Sequence, residues 1–227
     1  MQRHFDEELG GLKNDILKMG ALAREAITRA VEALKSRDAA AAKKVIESDI
    51  EMDELELAID DKCLNLIALH QPMAGDLRFI TTAIKLNAEL ERIGDLAVDV
   101  AHRALDISDK PLLKPLIDIP RLAELAKGMT SEAIDAFVKG DTGLAKKVVL
   151  SDPEADDLKR AVEKELIYDY MMKDGSSSDR AVPLLLAARH LERVCDHAVS
   201  MAEDIIYMVS ARVVRHHPEE LDRQPGN

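Results

Sequence analysis

Four pairs of carboxylates, each with the spacing i, i+4, are the strongest candidates for a functional site in this sequence. The pairs are Asp49/Asp53 and Glu91/Asp95 in the first half of the chain, and Asp152/Asp156 and Glu192/Asp196 in the second. At 3.6 residues per turn, this spacing puts both carboxylates of a pair on one side of a helix, one turn apart. Carboxylates that close repel each other unless they are protonated or share a cation. The pattern therefore predicts ligands for a metal ion.

The segments that carry these pairs are predicted to be helices. Apolar residues from Phe5 to Ala33 and again from Phe79 to Ala104 recur in alternating steps of four and three, which is the spacing of an apolar stripe on a helix. Pro72 suits the first turn of the third helix. The predicted helices span about residues 5–36, 38–69, 72–104, 121–139, 142–173 and 179–215. An exposed turn is predicted at 173–178.

The sequence repeats itself at these helices. A shift of 103 positions superimposes eight identical residues, from Asp38 onto Asp141 through to Asp53 onto Asp156, and a shift of 101 superimposes Glu91 onto Glu192 together with the residues around it. Two copies of a helix triplet, each about 100 residues long, explain the six helices and the chain length. The prediction is an all-α fold made of two tandem three-helix bundles with antiparallel up-down packing.

Three prolines separate the two copies. Pro111, Pro115 and Pro120 interrupt any helix near the midpoint of the chain. We therefore predict a first bundle at residues 1–110, a second bundle at 118–215 and a C-terminal tail at 216–227.

Composition excludes several classes of function. The formal charge of −12 disfavours binding to nucleic acid or to an anionic bilayer. The two cysteines, Cys63 and Cys195, stand far apart and form no zinc-binding pattern, which favours a reducing compartment. No apolar run is long enough to span a membrane or to act as a signal peptide. These features predict a cytoplasmic protein without direct membrane insertion.

Two interpretations of the acid pairs compete. Pairs of acids at i, i+4 are common on solvated helix faces, and Asp152-Pro153 is also typical of a helix N-cap followed by proline. However, the acids recur in all four matched places, which favours a metal site with all-oxygen ligands for Mg, Mn, Ca or Fe, with zinc less natural. In the first copy Asp99 extends the stripe by one more turn.

An enzyme is the alternative function. Asp99-x-x-His102 resembles the carboxylate-x-x-His element of carboxylate-bridged di-metal enzymes in helical bundles. The second copy breaks this pattern, because Ser200 and Glu203 stand at the matching positions. No glycine-rich phosphate loop or nucleophile motif occurs, and the histidines and Cys195 have no neighbours that suggest catalysis. We therefore predict a protein that is not an enzyme.

Several motifs together carry a family resemblance. The two copies contain Glu91-Arg92-Ile93-Gly94-Asp95 and Glu192-Arg193-Val194-Cys195-Asp196, the stretch 71–78 reads Gln-Pro-Met-Ala-Gly-Asp-Leu-Arg, and 5–9 reads Phe-Asp-Glu-Glu-Leu. In this order, and over roughly residues 3–215, the sequence resembles the PhoU family of phosphate-uptake regulators.

The resemblance implies a function. It implies two three-helix bundles that hold metal ions or small metal clusters, often of iron or zinc, and that associate as homodimers. It implies an adaptor between the ATPase subunit of the high-affinity phosphate ABC transporter and the phosphate-responsive sensor histidine kinase, and thus a negative regulator of phosphate uptake and of the starvation response. The implied metal ligands are Asp49, Asp53, Glu91, Asp95 and Asp99 in the first copy, and Asp152, Asp156, Glu192 and Asp196 in the second. Ser200 departs from the family pattern and leaves the second site one ligand short.

Overall fold

The protein is an assembly of long helices. The structure, a computed structural model, describes residues 2–212, and this range contains no strand. The all-α prediction is confirmed. The helices are α1 (Gln2–Ser36), α2 (Ala39–Ser48), α3 (Ile50–His70), α4 (Ala74–Ile107), α5 (Asp118–Lys139), α6 (Thr142–Lys164) and α7 (Ser178–Ser210), with a π-helical segment at Glu165–Met171 and a short 3-10 turn at Gly175–Ser177.

The helices form the two predicted three-helix bundles. The first consists of α1, the consecutive helices α2 and α3, and α4; the second consists of α5, α6 with the π-helical segment, and α7. One apolar core runs through both bundles. The division into domains at 1–110 and 118–215 therefore stays a prediction, and the predicted tail at 216–227 lies outside the described residues. Within residues 2–212, no helix combines the length and apolar composition that a membrane span requires.

The same local contacts begin the second helix of each bundle. Asp38 accepts hydrogen bonds from the backbone N–H groups of Ala40 and Ala41, at 2.9 and 3.0 Å, and Asp141 accepts one from Leu144 at 3.0 Å. Such caps satisfy N–H groups that have no partner within the helix. The repeat in sequence is thus a repeat in local structure.

The first helix of each bundle ends in the same way. The next residue is left-handed in both copies, with φ 56° at Arg37 and φ 64° at Gly140. Glycine adopts this conformation without steric cost, whereas arginine does not. Arg37 also donates a hydrogen bond to the carbonyl of Lys110, so its side chain holds the linker against the end of α1.

The second helices of the two bundles differ. In the first bundle Asp49 interrupts the predicted helix 38–69 and separates α2 from α3, although its backbone keeps helical angles. In the second bundle α6 continues through Pro153. The alternative in which Asp152 caps a helix that starts at Pro153 is therefore wrong.

Other helix ends also differ from the prediction. Pro72 precedes α4 rather than lying in its first turn, and α5 begins at Asp118, which places Pro120 in its first turn, where proline is tolerated. The predicted helix 142–173 is α-helical only to Lys164. It then widens into the π-helical segment, in which the N–H of Met172 bonds the carbonyl of Ile167, five residues back.

The linker at residues 108–117 is tied to the second bundle. Pro183 lies inside α7 and has no N–H to offer the carbonyl of Asp179, four residues earlier. The ammonium of Lys110 donates to that carbonyl at 3.0 Å. Lys114 forms an ion pair with Glu165 at the start of the π-helical segment.

The two bundles meet along α4 and α7, which run antiparallel. Lys85 near the start of α4 lies 2.8 Å from Asp204 near the end of α7. Further along α4, Asp99 lies 3.4 Å from His190, on the N-terminal half of α7. Between these two contacts, Glu89 bonds His197. These contacts fix the register of the two bundles.

A second contact between the bundles joins α1 to α5 and requires a glycine. A methyl group on Gly20 would overlap Cδ1 of Ile134. We expect Gly20→Ala to lower the free energy of unfolding by up to about 2 kcal/mol, because the cost of overpacking a core exceeds the gain in helix propensity from alanine. Ile134→Val removes that Cδ1 and should recover part of the loss in the double variant. Urea unfolding measures both changes.

Gly128 on α5 is the matched control, because it is exposed and has no atom within 4 Å of an added methyl group. Gly128→Ala should raise the free energy of unfolding by about 0.5–1 kcal/mol. Equal effects at both glycines would contradict the close approach of α1 and α5.

Candidate metal centre

The carboxylates of the first bundle gather where the α2–α3 junction meets α4. Asp49, at the junction, faces Gly94 on α4, and a Cβ at Gly94 would lie 3.5 Å from Asp49 Oδ1 and 2.9 Å from Met52 Sδ. Any larger residue would push at least Met52 away. Gly94 therefore lets the junction approach α4, beside Glu91 and Asp95.

Electrostatic coupling shows which acids converge. Burial raises the pKa of Asp49, and the neighbouring charges of Asp53 and Asp95 raise it further. Burial also raises the pKa of Glu91, as do Asp95 and, more weakly, Glu56 and Asp53, whereas Arg92 lowers it. The structure thus brings together carboxylates from α3 and α4 that repel one another.

Glu56 belongs to this group and was missed in the sequence. Burial raises its pKa, followed by repulsion from Asp60 and Asp53. It continues the face of Asp49 and Asp53 at the spacing i, i+4, i+7, and this spacing was the signal that could have found it. Its helix is held by the buried Asn87 of α4, whose Nδ2 donates to the Glu56 carbonyl at 2.9 Å and to Asp60 Oδ1 at 3.0 Å.

The structure does not bring Asp99 to the other acids. Each step of four residues turns the side chain by about 40° around the helix, so two steps from Glu91 move Asp99 onto another face. There it lies 3.4 Å from Nδ1 of His190 in the second bundle. His102 is exposed, whereas His190 and His197 are largely buried and each contacts a carboxylate of α4.

The matching acids of the second bundle also converge. Burial raises the pKa of Asp152, and Asp156 and Glu192 raise it further. Burial, with repulsion from Glu192 and Asp152, raises the pKa of Asp196 to about 6. Here, however, the ammonium of Lys159 lies 3.0 Å from Glu192 Oε1.

Both cysteines are buried in the apolar core. Burial raises the pKa of Cys63 to about 12 and raises that of Cys195 as well, because a thiolate is poorly solvated there. Both thiols therefore stay protonated at neutral pH, and Cys195 packs at the position that Gly94 holds in the first bundle.

The acid groups suit a hard cation in charge and donor type. Among the residues from 2 to 212, no three or more His, Cys, Asp or Glu side chains lie close enough together to hold an ion. A cation at either group would require these side chains to rotate about their bonds and close on it. Carboxylate oxygens are the ligands that Mg²⁺, Mn²⁺ and iron accept.

The chain is thus a duplicated three-helix bundle that gathers acids between the second and third helix of each copy. Comparison with known families agrees with this description. The family model for the PhoU domain matches the chain twice, at residues 16–104 and 119–205. The chain belongs to the PhoU family, as the resemblance predicted.

Individual relatives cover nearly the whole chain. The phosphate-specific transport system accessory protein PhoU homolog of Aquifex aeolicus is 40% identical over 92% of this chain and 95% of its own length. The crystal structure of PhoU from Pseudomonas aeruginosa matches with a TM-score of 0.86 and 34% identity over 92% of this chain and all of that one. The phosphate transport system regulatory protein PhoU from Streptococcus pneumoniae matches with a TM-score of 0.85 and 28% identity, over 92% of this chain and 99% of that one.

The raised pKa of Asp196 predicts a pH dependence of stability in metal-depleted protein. Its folded-state value of about 6 lies above the ordinary 3.8, so the folded chain holds a proton that the unfolded chain has released. This contribution to stability is complete below about pH 4 and is lost as the pH rises through about 6. As the pH rises from about 4 to about 7, the unfolding temperature of the Asp196→Asn variant should fall less than that of the wild type.

The control is Glu154→Gln, which changes an exposed carboxylate on α6. Its pH profile should follow that of the wild type. If Asp196→Asn and the wild type also gave the same profile, the crowding of acids around Asp196 would be contradicted.

Proposed function

We propose that this chain is a negative regulator of phosphate uptake and of the phosphate-starvation response. It acts as a metal-binding adaptor between the ATPase subunit of the high-affinity phosphate ABC transporter and the phosphate-responsive sensor histidine kinase. Its relatives are accessory and regulatory proteins of phosphate transport systems, which supports the assignment to phosphate. The observation that carries the metal-binding part is the crowding of Asp49, Glu91 and Asp95 between α3 and α4.

The proposed metal ion lies in the first bundle. Asp49, Asp53, Glu91 and Asp95 are its ligands, and Glu56 adds charge beside them. A cation there would neutralise the mutual repulsion and fasten α3 to α4. The donor set fits iron, manganese or magnesium, and zinc less well.

An exposed apolar stripe favours a binding protein. Ile50, Leu57 and Leu64 follow one another at intervals of seven residues along α3, and are 63%, 67% and 62% exposed. Apolar side chains that recur along one face of a helix can serve as anchors for a partner. Acids flank the stripe on both sides, for example Glu54 and Asp53. A partner surface with an apolar centre and a basic rim would complement it.

The same acids disfavour pairing of this stripe with itself, so the proposed homodimer would use another surface. We place the protein in the cytoplasm, because the ATPase subunit and the kinase domain that it would contact work there. The alternative, a di-metal enzyme, needs Asp99 and His102 at the metal. Asp99 instead contacts His190, and His102 is exposed.

Metal content tests the site. The double variant Glu91→Ala, Asp95→Ala removes two proposed ligands, and we expect it to bind metal more weakly than the wild type by at least about tenfold. Atomic emission spectrometry of protein purified from its host measures bound metal directly. Asp99→Ala is the control and should retain the metal, because Asp99 faces His190. Unchanged metal in the double variant, with helicity intact, would refute the site.

Gene expression tests the regulatory role. Deleting the gene should raise phosphate-starvation gene expression in phosphate-rich medium, and the wild-type gene should restore repression. Leu57→Glu with Leu64→Glu places charges on the exposed stripe without touching the core, so this variant should accumulate normally but fail to repress. An unaltered starvation response in the deletion strain would count against the regulator; full repression by the stripe variant would count against this docking face.

A further inference from the structure

The two carboxylate groups differ at one position that the repeat places in the same spot. The shift of 103 residues superimposes Glu56 of α3 on Lys159 of α6. Burial confirms this register, because matched positions on either side are buried in both bundles. The buried pairs are Met52 with Ala155, Ile59 with Val162, and Cys63 with Leu166.

The matched residues Glu56 and Lys159 carry opposite charges, and each acts on the glutamate of its own bundle, Glu91 or Glu192. In the first, the charge of Glu56 acts on Glu91 and adds to the repulsion there. In the second, Lys159 Nζ lies 3.0 Å from Oε1 of Glu192. The side chains of this ion pair are only 22% and 15% exposed, so it lies against the bundle rather than in open solvent. Lys159 thus supplies a positive charge at a position where the first bundle has a carboxylate. The cation beside Glu91 is instead the more exposed Arg92, at 3.6 Å.

The surrounding positions show the same asymmetry. Arg160 stands where the first bundle has Leu57, and it lies 3.6 Å from Asp156. The eight compared positions contain six carboxylates and one arginine in the first bundle, but five carboxylates and three basic residues in the second. The compared positions are 49, 53, 56, 57, 60, 91, 92 and 95, matched with 152, 156, 159, 160, 163, 192, 193 and 196.

We propose that Lys159 is a built-in counter-ion that takes the place of a metal ion in the second bundle, so that this protein holds its metal in the first bundle alone. This inference rests on the proposed metal-binding function and specifies which of the two copies performs it. The ammonium occupies an oxygen of Glu192 that a metal would need, and it repels any divalent cation that approaches the remaining acids.

Exchanging the two residues tests the proposal. Full-length protein is stripped of metal with a chelator and titrated with Mn²⁺ by isothermal titration calorimetry. The wild type should show one strong binding step, assigned to the first bundle. Lys159→Glu should add a second step and double the Mn²⁺ bound, and Glu56→Lys should weaken the original step by tenfold or more. Lys159→Met tests removal of the charge alone and should also raise binding at the second bundle.

Lys164→Glu is the matched control for Lys159→Glu, because it makes the same change in charge at an exposed position of α6. It should leave the amount of bound Mn²⁺ unchanged. Thermal unfolding with and without Mn²⁺ gives a second readout: the stabilisation by Mn²⁺ should grow in Lys159→Glu and shrink in Glu56→Lys.

The outcomes separate the inference from the function on which it rests. Failure of the wild type to bind Mn²⁺, Mg²⁺, Zn²⁺ or ferrous iron would overturn the proposed metal function. If the wild type bound metal, but Asp152→Ala with Asp156→Ala lowered bound metal as much as Glu91→Ala with Asp95→Ala, then both bundles would bind it and the counter-ion role would be wrong. The same conclusion would follow if neither substitution of Lys159 raised Mn²⁺ binding while both variants remained folded.

Discussion

Antiparallel packing of α4 against α7 determines where the carboxylates of both bundles lie. These two helices carry the acid motifs, and they contact each other along their length, from Lys85 with Asp204 to Asp99 with His190. The face of α4 that packs against α7 is not available for contacts within its own bundle, which must use the other faces of the helix. Glu91 therefore meets α3, whereas Asp99, two turns further on, meets α7.

Carboxylates that are gathered between packed helices repel one another, and the two bundles differ in the positive charges that offset this repulsion. In the first, Asp49 and Glu91 have raised pKa values, and the exposed Arg92 is the counter-charge beside Glu91. In the second, Lys159 and Arg160 contact the matching acids. The two copies thus share the same acid pairs but differ in their counter-charges. This divergence is a route by which two copies of one site acquire different affinities for a cation.

Much of the fold was predictable because it depends on local and periodic signals. The steps of four and three in the apolar residues indicated helices, and the repeat indicated two bundles. The details that failed depend on packing between helices. Asp49 interrupts its helix where the junction approaches Gly94, and the π-helical segment begins where Lys114 of the linker contacts Glu165. No window of sequence around either position contains its distant partner.

The duplication, the helical class and the four acid pairs could be predicted from the order and spacing of residues along the chain. Which acids converge depends on how the helices pack. In the folded protein Glu56 joins the acids of the first bundle, Asp99 contacts His190 and Lys159 contacts Glu192. The reason is geometric: spacing places a side chain on one face of its own helix, but the packing of helices decides what that face meets.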